Sequence, residues 1–104
     1  MPKTSKENRK LHKLWRAGVL LKDNGYCQIC GPDKYNKVLN AHHLIPKEFK
    51  EYRWDVDNGM ILCVNHHTLG RFSAHKNPFW FVHWLGAHKP KIHLEVVRRI
   101  NGLT

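Results

Sequence analysis

Acidic side chains are scarce in this chain: 8 Asp and Glu stand against 18 Lys and Arg in 104 residues, a formal charge of +10. That balance argues against cationic ligands and favours a polyanion such as nucleic acid, or an anionic membrane surface. Cysteine is also sparse, and its count of three is odd, which excludes a closed set of internal disulfides. Two of the three stand as Cys27-Gln28-Ile29-Cys30, a spacing that points to metal or redox chemistry and to an intracellular, cytoplasmic setting. No stretch approaches about 18 consecutive apolar residues, and the first residues lack the apolar core of a signal peptide, so a soluble, unprocessed protein is expected. Repeats, linkers and low-complexity tracts are missing too, which leaves one domain over 1–104. A chain of this size removes only about two-thirds of its unfolded surface from water, so its modest core gains from an added cross-link.

Helix logic governs the first segment. Thr4 is an N-cap candidate with Glu7 three positions on, and Leu11, Leu14, Trp15 and Leu21 fall at near-helical spacing before Asn24-Gly25 ends the run. The outer face of this helix is basic. After Gly31-Pro32-Asp33, a tight reversal, the run Lys37 to His42 starts a strand through Val38 and Leu39. Lys47 to Asp57 shows no period and reads as a long ordered loop in which Tyr52 and Trp54 pack. Met60 to Val64 has strand length, and a helix is expected to open near Asn65. Asn77-Pro78 is an N-cap with proline at the first helical position, opening a helix through Leu85. That helix is apolar nearly all round, so burial on more than one side is expected. From Pro90 the tail suits a final helix on Ile92, Val96 and Ile100, although Leu94, Val96 and Val97 also allow a strand.

A cysteine pair two residues apart suits zinc, because a tight knuckle aims both sulfurs at one tetrahedral centre. The same gap recurs in Cys63-Val64-Asn65-His66, which completes three thiolates and one imidazole. Only that gap favours His66 over His67 as the fourth ligand. A thioredoxin-like pair would need a strand before it and a helix after it, against which Gly31-Pro32 argues. The zinc ion would fasten the two ends of the unit between Cys30 and Cys63.

Nine histidines are present, four of them in the adjacent pairs His42-His43 and His66-His67. Neighbours on a strand point to opposite faces, so each pair is expected to divide between two jobs. With His66 in the zinc clasp, His67 is free to meet His42 and His43.

The run Cys27-x-x-Cys30, Ala41-His42-His43-Leu44-Ile45-Pro46 and Asn58-Gly59-Met60-Ile61-Leu62-Cys63-Val64-Asn65-His66-His67 resembles the HNH endonuclease signature. The resemblance implies an α+β chain with a small ββα-metal core over 26–75. The zinc of Cys27, Cys30, Cys63 and His66 would staple this core. A basic helix over 1–25 and a helical extension over 76–104 would flank it. By the same resemblance His43 is the general base, His67 a ligand of the catalytic metal, and Asn58 the residue that braces the loop and orients the base. His42 stands where phage-type members carry aspartate and colicin-like members a metal-binding histidine. His66 replaces a fourth cysteine, and Arg71 replaces an additional histidine ligand of the colicin-like members. The chain is most similar to small HNH proteins of bacteriophages and prophages. That implies the cytoplasm of a host cell and a role beside packaging or genome-processing proteins.

Elementary chemistry agrees. Phosphodiester hydrolysis needs an activated water, shielding for an anionic phosphorane and help for the leaving oxygen. Near its ordinary pKa of about 6.5, His43 can take a proton from water at neutral pH. A divalent ion on His42 and His67 would serve as Lewis acid. Imidazole ligands suit Zn, Ni, Co or Mn, and with a phosphate present Mg as well. Four positions past His67 on a helix, Arg71 would face the scissile phosphate. His75 reads as a loop residue, with ligand or phosphate contact as alternatives; His12, His83, His88 and His93 read as surface or helix-face residues. The expected function is therefore a metal-dependent endonuclease acting on double-stranded DNA. The competing readings are a zinc-stapled DNA-binding module without chemistry and an RNA-directed nuclease.

Overall fold

The computed structural model describes residues 5–32 and 38–104. Thr4, Asp33 and Lys37, which carry the expected first cap, part of the reversal and the start of the first strand, lie outside the described residues.

Helix α1 runs from Ser5 to Lys22. Asn24 at φ 60° and Gly25 at φ 76° then turn the chain into left-handed backbone, and the Gly25 N–H donates to the Leu20 carbonyl at 2.9 Å. Trp15 and Val19, four residues apart on one stripe, are fully buried. Leu14 and Leu21 lie off that stripe and outside the core, and Leu21 is 83% exposed.

Strands β1 (Leu39–His43) and β2 (Gly59–Cys63) form an antiparallel hairpin in which His42 lies opposite Met60 and His43 opposite Gly59. Every residue of β2 is buried, because the sheet is covered on both faces. Ile61 points toward α1 and joins Trp15 and Val19, whereas Met60 and Leu62 join Cys27, Cys63, Ala74, Phe81 and Leu85 on the other side. Fully burying side chains of this kind contributes about 1.5–3 kcal/mol apiece. Gly59 permits the close approach of α1: a Cβ there would meet the Trp15 ring at 2.8 Å and collide with Val19. Buried Asp23 locks the joint by accepting from the Ile61 N–H at 2.7 Å, while Lys22 donates to the Gly59 carbonyl at 3.0 Å.

Between the strands the chain makes the expected ordered loop, closed by a 3-10 turn over Val56–Asn58 whose Asp55 cap accepts from the Asp57 N–H. After β2 the expected α-helix is replaced by a single π-helical turn, Asn65–Leu69. It ends at Gly70, whose backbone is extended; the Gly70 N–H donates the closing bond of the turn to the Asn65 carbonyl at 2.8 Å. The chain then doubles back, and Ala74 and His75 donate to the carbonyls of His66 and His67.

Helix α2 (Pro78–His88) begins with Asn77 accepting from the Trp80 N–H, as the Asn-Pro step predicts. It is not buried on several sides. Phe81 and Leu85 enter the core, Trp80 and Trp84 are half-buried, and Phe79 is 91% exposed. The hairpin layer covers one side of α2 only. The tail is helical rather than extended: α3 spans Pro90–Leu103. Its Arg99 pairs with Asp55 at 3.1 Å and lies over the Tyr52 ring at 4.7 Å, which ties α3 to the loop between the strands. Among the described residues no helix is long and apolar enough to cross a membrane.

Candidate active site and metal centres

The Cys27–Cys30 knuckle docks beside β2 through the Gln28 N–H, which donates to Ile61, and the Cys30 N–H points at the Cys27 sulfur at 3.5 Å. β2 ends at Cys63, and the π-helical turn brings His66 back over it. The four side chains thus meet, with their ligand atoms all within 4.8 Å of one another. At a tetrahedral zinc with Zn–S bonds of about 2.3 Å, two sulfurs lie about 3.8 Å apart. The Cys30 and Cys63 sulfurs are 3.8 Å apart. His66 Nδ1 stands 3.3, 3.4 and 3.8 Å from the sulfurs of Cys30, Cys63 and Cys27. This donor set and its spacing fit zinc, and they select His66 over His67 as the imidazole.

A second cluster forms on the other side of the turn from His42, His67 and His75, again with ligand atoms within 4.8 Å of one another. His67 Nε2 and His75 Nε2 are 3.1 Å apart, and the His42 ring stands 5.1 and 5.2 Å from the two other rings. His67 Nδ1 lies 3.0 Å from the Asn40 side-chain oxygen. Donation to that oxygen leaves the Nε2 lone pair directed at the cluster. Burial, reinforced by the neighbouring imidazoles, pushes His42 down to about 3. Burial and then His75 push His67 down to about 4. Both rings are therefore neutral at physiological pH and have lone pairs for a cation. The residues can hold a divalent ion.

His75 corrects the sequence reading. It is not merely a loop residue, because the backbone bonds from residues 74 and 75 to His66 and His67 carry it to the cluster. No periodicity announces such a fold-back. Arg71 moves the other way: the turn ends at Leu69, so helical spacing no longer aligns Arg71 with His67, and its side chain is exposed. Asn40, which braces His67, also escaped the sequence reading; its only sequence mark is a position two residues before His42 on the same face of β1.

His43, next along β1, faces the opposite way. Its ring lies flat on Trp15, and its Nε2–H donates to the Arg53 carbonyl at 2.9 Å. That bond fixes the tautomer and leaves Nδ1 as the free base. Burial lowers the His43 pKa, the Arg53 bond opposes that, and the charges of His12, Lys47 and Arg53 lower it further. Asn58 is fully buried; its side chain accepts from the Ile45 N–H and donates to the carbonyls of Ile45 and Tyr52. It thereby pins both ends of the loop that carries Arg53. Tyr52 and Trp54 pack against Arg99 and Trp15. A cleft of about 650 Å³ is lined by His42, His43, His67 and His75 together, with an apolar far wall from α2 and α3.

Over residues 27–75 the chain matches the family model of the HNH endonucleases. The match includes both clusters, His43 and Asn58; α1, α2 and α3 lie outside it. No curated protein and no solved structure matches the chain.

Proposed function

We propose that the protein is a metal-dependent endonuclease that hydrolyses phosphodiester bonds in double-stranded DNA. One observation carries the reading: a neutral imidazole with a fixed tautomer shares one cleft with a three-imidazole cluster able to hold a divalent ion. The match to HNH endonucleases supports it. His43 is the general base, taking a proton from water at Nδ1 while Arg53 holds its N–H. Asn58 keeps the Arg53 loop in place. His42, His67 and His75 hold the ion, whose chemistry is Lewis-acid support for the phosphate and its leaving oxygen. Because the ligands are neutral, the ion keeps its positive charge, which suits an anionic substrate. Cys27, Cys30, Cys63 and His66 hold a structural zinc that joins the knuckle to the hairpin.

Supercoiled plasmid incubated with zinc-loaded protein and Mn, Mg, Ni or Co should be nicked or linearised, and His43→Ala should lose about 100-fold or more of that activity. Cleavage by no metal, or undiminished cleavage by His43→Ala, overturns the assignment. Binding without any cleavage would instead favour a zinc-stapled DNA-binding module. Faster cleavage of a matched RNA duplex would move the substrate class to RNA.

A further inference from the structure

A second cleft, about 460 Å³ in volume, opens between α1 and the loop that joins the strands. From α1 it receives Arg9 and His12, and from the loop Lys47, Arg53 and Trp54, with Glu48 as its one carboxylate. Three permanent cations against a single anion give this depression a positive field, and cleft walls of low polarisability concentrate such a field. Arg53 is set in place: its Nε donates to the Lys47 carbonyl at 2.6 Å, and its guanidinium lies 6.0 Å from the centre of the Trp54 ring. Among the described residues, Arg9, Lys47 and Arg53 take part in no ion pair. Their charge is thus available to a ligand. His12, Lys47 and Glu48 line both this cleft and the one that holds His43, so the two clefts adjoin.

The geometry points to a phosphate-tracking subsite in this cleft: Arg9, Lys47 and Arg53 bind backbone phosphates flanking the scissile one, on the nucleic-acid strand that enters the catalytic cleft. Trp54 supplies an apolar wall for the sugar between them. The inference rests on the nuclease reading for the position of the scissile bond. It adds to that reading a role for α1, which lies outside the segment matched to HNH endonucleases. Unlike a diffuse basic surface, the subsite makes particular cations count for more than others.

The test is duplex binding by zinc-loaded protein without an added second metal, in a His43→Ala background, followed by anisotropy of a labelled 20-mer duplex over a range of salt. Neutralising one true phosphate contact lowers the slope of log K against log salt by about 1. Arg9→Ala and Arg53→Ala should each do so and weaken binding about 3- to 10-fold at a fixed intermediate salt. Arg9→Lys should restore the slope. Lys91→Ala removes an equal charge from an exposed position on α3 that lines neither cleft, and it should leave the slope close to that of the parent. Equal behaviour of Arg9→Ala and Lys91→Ala overturns the subsite even if the enzyme cleaves DNA. Selective loss with Arg9→Ala in a protein that never cleaves would uphold the subsite and overturn the nuclease reading alone.

Discussion

The indole of Trp15 lies flat on the imidazole of His43, with ring centroids 3.9 Å apart and planes within 10° of parallel. Trp15 is held in turn by its own N–H, which donates to the Asp55 carbonyl at 2.8 Å. A helix outside the matched segment therefore sets one face of the proposed base. Trp15→Phe keeps an aromatic face and gives up the bond to Asp55, which should cost about 1 kcal/mol in urea unfolding. Trp15→Leu removes the stack as well and should lower kcat about 10-fold or more, since the imidazole loses its fixed orientation. Equal turnover by both variants would show that the stack does not position His43.

Zinc removal should undo the fold locally before it undoes chemistry. Cys63→Ser breaks the clasp between the knuckle and β2, and binding free energy at such a site is folding free energy. The variant should retain less than one zinc per chain and melt at a lower temperature than the parent, measured by metal analysis and circular dichroism on one preparation. Full zinc content in the variant would refute the four-ligand assignment.

Asn40 orients His67 without belonging to the cluster. Its replacement by alanine should weaken binding of Mn or Ni at the second site by about 10- to 100-fold, the usual effect of removing such a partner. Structural zinc should be unaffected. His75→Ala should weaken the same binding at least as much; unchanged affinity in a calorimetric titration would remove His75 from the ligand set.

Acid should destabilise the protein when the second metal site is free. In the unfolded chain His42 and His67 take up protons near 6.5, but in the folded chain only near 3 and 4. Between those values the unfolded state binds more protons, so stability is complete above pH 6.5 and falls as the pH drops toward 4. Urea midpoints at successive pH values should show that decline, and a zinc-loaded His42→Gln variant should show a shallower one. Parallel curves would contradict the burial of neutral imidazoles.

Gly59→Ala tests the contact between α1 and the hairpin. A methyl group there meets Trp15 and Val19, both fully buried and unable to retreat cheaply. Destabilisation of about 1–3 kcal/mol is expected from overpacking. An unchanged unfolding midpoint would mean that α1 is not seated as described.

Local chemistry was legible in the sequence wherever it depends on near neighbours. Asn24-Gly25 stops α1, Asn77-Pro78 opens α2, and the repeated two-residue gap marks Cys27, Cys30, Cys63 and His66, because caps, left-handed turns and metal knuckles are formed by residues a few positions apart. The alternation along β1 also set His42 and His43 on opposite faces in advance, since consecutive strand residues face opposite ways. What depends on contacts between distant segments was not legible. Only the tertiary structure showed that the π-helical turn ends at Leu69, which takes Arg71 out of line, and that His75 folds back to His67. Only the seating of α1 placed Trp15 on His43 and left Leu21 in water. Hydrophobic spacing tells which residues suit burial; which of them are buried is decided by the surface that another element brings to meet them.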